Sequence, residues 1–353
     1  MSRHTRTDAR LACAAALLLA LLLSASAARA AWRAAGDVRA VERRADGVVL
    51  TLTSGARVAV TFRDIETVRV RLVPGGDFGR DFSYAVEPKD RKTVAADVTE
   101  TRDEIRISSL NKTTVVVKRR PFLVTVLDGA GRVVVEDDPA RPPSFDPETG
   151  AVETSKRRVA WEVYYGLGEK AGATVSRDTQ QFVMWNTDTY AYPRGLDPIY
   201  QSIGFYVALR QEDTAQGAPP APPGATAQPP NAARQKRGVS YGLFFDNTTR
   251  AYFDMGKTDP SRVTFGAAGG ELNYYVFTGG QERTPKNVLR DYTDLTGRAP
   301  LPPLWALGNQ QSRWSYYPEA RVREVARGFR ESKIPADVIY LDIDYMDGFR
   351  VFT

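Results

Sequence analysis

Hydrophobic and polar residues alternate in short runs through the first half of the chain: VVLTLT (48–53), RVAVTF (57–62), TVRVRLV (67–73), TTVVVK (113–118), FLVTVLD (122–128) and RVVVED (132–137). A period of two puts every second side chain on one face, the pattern of a half-buried strand. Ser54-Gly55 and the triplet at 129–131 separate neighbouring runs as hairpin turns, so the stretch predicts an antiparallel β-sandwich. Further runs at 203–209, 239–246, 250–255, 262–265 and 271–278 extend this mainly β domain over residues 31–280. Residues 211–237 interrupt it with a Pro-, Ala-, Gly- and Gln-rich segment that lacks aliphatic periodicity, expected as a surface insertion between two strands.

After Gly280 the period changes. Pro285 opens a predicted helix that carries Val288, Leu289, Tyr292 and Leu295 on one face and ends near Gly297. LWALG (304–308) predicts a buried strand, and Pro318 opens a second helix with Val322, Val325, Ala326 and Phe329 inward. VIYLDID (338–344) predicts another strand. Strand, helix and strand in that order make a right-handed crossover between parallel strands, so residues 281–353 read as a connecting helix followed by one βαβ unit.

The first thirty residues follow neither pattern. Arg3, Arg6 and Arg10 precede an apolar run at 11–23, and small residues then lead to Ala28-Arg29-Ala30, the arrangement of a secretory signal peptide cleaved after Ala30. The run is shorter than the ~20 apolar residues a membrane-spanning helix needs. The mature protein is therefore expected to be periplasmic or extracellular, with no integral membrane segment. Cleavage would remove four arginines and one aspartate and lower the net charge from +6 to +3. The basic triplets at 118–120 and 156–158 read as solvated strand ends, and no basic run with interleaved aromatics supports nucleic-acid binding. The chain's only His and only Cys, His4 and Cys13, both fall in the leader. Ser-His-Asp and Cys-His catalysis, His- or Cys-based metal sites and disulfides are thereby excluded from the mature chain. Carboxylates, Lys and Tyr remain for acid–base chemistry.

Six segments carry a resemblance: YYGLGEKAG (164–172), MWNTDTYAY (184–192), PIYQSIGFYVAL (198–209), YGLFFDNTTRAYFDMG (241–256), LTGRAPLPPLWALGNQQSRWSYYP (295–318) and IPADVIYLDIDYMDGFRVFT (334–353). In this order they resemble the front half of the α-glucosidases of glycoside hydrolase family 31. The resemblance implies a galactose-mutarotase-like sandwich followed by a (β/α)8 catalytic barrel, of which this chain would hold the truncated start. It implies a retaining exo-α-glucosidase acting on α-linked oligosaccharides, which needs neither metal nor cofactor. The nucleophile and the acid/base would be aspartates of later barrel strands, expected beyond Thr353, which leaves no catalytic residue in this chain. Substrate-binding roles pass to Asp188, in a WNTD loop similar to the one that reaches the innermost sugar subsite, to Trp314 as an aromatic wall, and to Asp342 as an acceptor for sugar hydroxyls.

Read without the family, the same residues have plainer roles. Asp188 in an Asn-Thr-Asp-Thr run suits an Asx turn, Trp314 suits a core aromatic, and Asp342 suits a cap on the following loop. Asp342 and Asp344, two apart on an expected strand, would face one side. They cannot serve as the opposed carboxylates, about 5–5.5 Å apart, of a retaining enzyme. Tyr340-Leu341 stands where the branch of animal digestive enzymes has Trp-Asn, so that branch's substrate preference does not transfer. A non-catalytic carbohydrate-binding or degenerate protein, and a related α-glycosidase such as an α-xylosidase, remain alternatives.

Overall fold

The computed structural model describes residues 32–87, 94–110, 112–213 and 236–351. The expected leader at 1–30 and most of the insertion at 211–237 lie outside the described residues. The chain divides into two compact units with the boundary after Gly297, so the helix that follows Gly280 groups with the sandwich.

Three antiparallel sheets build the first unit. The largest orders its strands Glu162–Gly168, Ser202–Asp213, Lys236–Phe245, Leu272–Phe277, Thr67–Val73, Arg57–Asp64, Gly47–Leu52 and Val38–Arg44. A second sheet runs from Arg33–Ala34 through Ser144–Phe145, Val152–Arg157, Arg262–Ala267 and Ala251–Asp254 to Gln181–Met184. The third contains Val133–Glu136, Phe122–Asp128, Thr113–Arg119, Glu104–Ser109 and Asp97–Glu100. In Arg57–Asp64 the alternation buries Val58, Val60 and Phe62 and leaves the residues between them half-buried. Thr67–Val73 and Leu272–Phe277 are buried at every position, because the large sheet is covered on both faces. One face joins the main core through Leu50, Val70 and Tyr274, with Phe253 and Phe265 of the second sheet.

The other face is covered by helix α1 (Pro285–Thr296). Thr284 caps it by accepting from Asn287 N at 3.2 Å, Pro285 fits the first turn, and the helix stops at Gly297 in a positive-φ conformation. Val288 and Leu295 pack with Phe205, Phe244, Tyr275 and Phe277, and Tyr292 stacks on Phe205 with ring centroids 3.8 Å apart. Gly242 allows this approach, since a Cβ there would lie 2.6 Å from Val288 Cγ1. Leu289, expected inward, is 47% exposed. The stripe at 288, 292 and 295 already fills the contact, and position 289 falls at its edge.

Asp291 of α1 shows what this docking costs. Burial, with the Glu66 charge adding to it, pushes its carboxyl up to about 6 against the opposing pull of Arg290. The folded state therefore favours the protonated form, and the associated stability is full below an unfolded value near 4 and is lost as pH rises through about 6. Asp291→Asn is expected to raise unfolding stability by about 1–2 kcal/mol at pH 7.5, allowing for solvent screening, and by little at pH 4. Urea unfolding at the two pH values checks this, and equal gains at both would contradict it.

The triplet at 156–158 does not behave as a solvated strand end. Lys156 is buried, with side-chain exposure of 3%, and pairs with Asp137 at 0%. Strand Val152–Arg157 turns Val152, Thr154 and Lys156 to the same side, so the period of two carries the lysine inward. In the other triplet Lys118 and Arg120 are exposed as expected.

The second unit holds helix α2 (Glu319–Glu331) between two short strands, Gln310–Gln311 and Val338–Ile339, paired in parallel. Parallel pairing was expected, but its place was not. Leu304–Leu307 forms an exposed 3₁₀ turn led by Pro303, because proline fixes φ and lacks a ladder donor. The strand begins at Gln310, where Gln310 and Gln311 meet Val338 and Ile339. The 338–344 strand also ends early, at Ile339. On α2, Val322, Val325 and Phe329 are half-buried and Ala326 is exposed, so the inward face is only partly covered within this unit. Among the described residues no helix is long and apolar enough to cross a membrane.

Candidate functional site

Strand Gln181–Met184 runs directly into the WNTD sequence. Asn186 Oδ1 accepts from Ser202 N at 2.7 Å, Thr187 N donates to Ile199 O at 3.2 Å, and Tyr200 Oη donates to Thr189 O at 2.8 Å. The Asn186 bond spans sixteen residues and ties the loop to the strand that follows it; it is not a local turn bond. Asp188 itself is exposed, and its carboxylate accepts no hydrogen bond among the described residues. It remains close enough to Tyr200 for its charge, after desolvation, to push that phenol's pKa up. Trp185, 48% exposed, lines a cavity of about 380 Å³ with Asn186, Asn247 and Thr248, and the Arg250 guanidinium lies 6.0 Å from its ring.

In the second unit the segment after Gln310–Gln311 carries Trp314, which is 73% exposed among the described residues. Its anchor is Tyr316, buried, whose hydroxyl accepts from Gln311 Nε2 at 2.7 Å. Ser315 Oγ donates to Asp344. That bond ties the Trp314 segment to the chain leaving Val338–Ile339.

Asp342 lies in that departing chain at φ 61, exposed and without a hydrogen bond to its carboxylate among the described residues. Because the strand ends at Ile339, the period of two does not reach Asp342 and Asp344, and the two are not a same-face pair. Asp344 is spent on Ser315, whereas Asp342 is free. A non-glycine residue in left-handed backbone past a strand end is a position to examine for function, and Asp tolerates that conformation well.

Asp188 belongs to the first unit, and Trp314 and Asp342 to the second. The structure adds Asn186, Tyr316 and Asp344 as residues that hold these segments in shape. None of the three roles is legible locally, because each depends on a partner in another part of the chain: Ser202 for Asn186, Gln311 for Tyr316 and Ser315 for Asp344. No group of three or more His, Cys, Asp or Glu residues that could hold a metal occurs among the described residues.

Comparison with known proteins bears on both units. Residues 57–217 match the glycosyl hydrolase 31 N-terminal galactose mutarotase-like domain, and residues 299–353 match the family 31 TIM-barrel domain. Alpha-glucosidase 2 of Bacillus thermoamyloliquefaciens is 40% identical over 297 residues, covering 84% of this chain and 33% of that protein. An α-xylosidase, XylQ, of Lactiplantibacillus pentosus is 32% identical over 194 residues, 54% of this chain and 21% of that protein. Among solved structures, the family 31 dextranase of Flavobacterium johnsoniae complexed with glucose superposes with a TM-score of 0.73 at 28% identity, over 89% of this chain and 34% of the other. The chain thus spans a third or less of the length of the curated relatives named here. With both of the family's domains matched in sequence order, and the sandwich and the barrel opening each found as a compact unit, the chain belongs to glycoside hydrolase family 31.

Proposed function

We propose that this chain contributes the sandwich and the opening βαβ unit of a retaining exo-α-glucosidase, with Asp188, Trp314 and Asp342 as sugar contacts. The observation that carries the reading is the state of Asp342: a carboxylate just past a parallel strand, where barrel enzymes place functional groups, with no internal partner among the described residues. An unpaired acceptor suits the hydroxyls of a sugar ring, and an exposed aromatic in the same unit suits its apolar face. The glucoside assignment follows the name of the 40% relative. An α-xyloside is the second candidate, from the name of XylQ.

The bond-breaking residues of the proposed mechanism are not among those assigned to this chain. A nucleophilic aspartate would attack the anomeric carbon through an oxocarbenium-like transition state as an acid protonates the leaving oxygen. Water would then hydrolyse the glycosyl-enzyme with the same residue acting as base. No cofactor enters this chemistry. The 353-residue polypeptide alone is expected to show no turnover of an activated aryl α-glucoside and no labelling by a mechanism-based α-glucosidase inactivator. A chimera in which it replaces the matching segment of the Bacillus α-glucosidase is expected to be active. Turnover by the polypeptide alone, or covalent labelling of one of its carboxylates, would refute the assignment of roles. We further propose that residues 1–30 direct export, which N-terminal sequencing of exported protein tests by reading Ala31 first.

A further inference from the structure

Lys170 follows strand Glu162–Gly168, and its ammonium is almost wholly enclosed, with side-chain exposure of 1%. Nζ donates to Asp197 Oδ1 at 2.7 Å and to Val183 O at 2.9 Å. The second oxygen of Asp197, whose side chain is 15% exposed, accepts from Val183 N. Val183 stands at the start of the Asp188 loop and Asp197 at its end, so one buried cation and one carboxylate join both ends. Glu169 N donates to Gln201 O at 2.9 Å and fixes the lysine's own segment to the chain leaving the loop.

We propose that the Lys170–Asp197 pair is the brace that sets the position of the Asp188 loop, which makes both side chains positioning residues for sugar binding. The last step rests on the reading of Asp188 as a sugar contact. Asp188 sits between Thr187, bonded to Ile199, and Thr189, bonded to Tyr200, and has no bond of its own. Its location is thus inherited from the loop. An exposed ion pair would contribute little here. This one is enclosed, and its bonds converge on the two ends of a single loop, at Val183 in the strand that enters it and at Asp197 where it closes. Arg177 shares the Phe182 ring with Lys170, at 5.6 and 5.7 Å, and donates to Gly166 O at 2.8 Å. Loss of Lys170 therefore still leaves a cation near Asp197, and the variant can fold.

Residue-level hydrogen exchange on the 353-residue chain tests the brace. In Lys170→Met and Asp197→Asn the amides of Thr187 and Ser202 are expected to exchange at least about tenfold faster, with strands Thr67–Val73 and Leu272–Phe277 unchanged. Lys170→Arg, which keeps the cation, is expected to retain most of the protection. Unchanged loop amides, or equal acceleration in the core strands, would overturn the proposal. In the active chimera, Lys170→Met is expected to lower kcat/KM by at least about fivefold and to have no further effect once Asp188→Ala is present. Additive losses would show that the pair does not act through Asp188. An inactive chimera, or an Asp188→Ala variant with full activity, would count against the functional reading, and the exchange data would still decide the brace.

Discussion

In the chimera with the Bacillus α-glucosidase, Asp342→Asn is expected to lower kcat/KM for an aryl α-glucoside by about 10- to 100-fold, the range for weakening a charged hydrogen bond. The substitution keeps shape and backbone, because Asn accepts the left-handed conformation as readily as Asp. What changes is the charged acceptor. A site built to hydrogen-bond a hydroxyl discriminates strongly when that bond is weakened. Asp347→Asn is the control: its carboxylate lies on the surface, paired with Arg350 three residues on, and activity should stay within about twofold. Asp344→Asn has a different meaning, since Asp344 accepts from Ser315 and braces the Trp314 segment. Its effect should fall mainly on KM. Equal losses in Asp342→Asn and Asp347→Asn would remove Asp342 from the sugar site.

The parts of this fold that could be read from the chain are those fixed by local period. Val58, Val60 and Phe62 declare a strand face by alternation alone, and α1 announces both ends through Thr284-Pro285 and Gly297. Where a position depends on what covers it, local period fails. Leu289 has the right spacing for the buried stripe, but the stripe is already filled at Val288, Tyr292 and Leu295. LWALG is apolar enough for a strand, yet the proline before it and the register of the ladder move pairing to Gln310. The candidate site divides in the same way. Asp188, Trp314 and Asp342 are proposed through motif resemblance, which carries the outcome of long-range contacts without showing them. The residues that hold their segments were not found. Lys170 and Asp197 are 27 positions apart, and Ser315 and Asp344 are 29 apart, and nothing local marks either pair.

Lys156→Met is expected to cost about 3–5 kcal/mol of unfolding free energy, the usual penalty for stranding one member of a buried ion pair. The basic triplet predicts a solvated strand end for this lysine, but Nζ pairs with Asp137, donates to Tyr274 Oη at 2.7 Å and lies 4.2 Å from that ring. Burial holds the ammonium's pKa down and the Asp137 charge opposes it, so the pair survives enclosure through mutual compensation. Asp137 also accepts from Val124 N at 2.7 Å and from Thr154 Oγ1 at 3.4 Å. These neutral donors do not replace a countercharge. Methionine fills much of the lysine stem's volume, so the cost is electrostatic and not that of a cavity. The companion variant makes the distinction. Lys156→Met with Asp137→Asn leaves no buried charge and keeps an acceptor for Val124 N, so it should recover at least about 2 kcal/mol of the single variant's loss. Urea unfolding of parent, single and double variants measures both quantities, with the slope checked for constancy. A single-variant loss under about 1 kcal/mol would show that the pair contributes no more than an exposed one. A double variant as unstable as the sum of both singles would show that the two side chains act independently, despite their contact in the core.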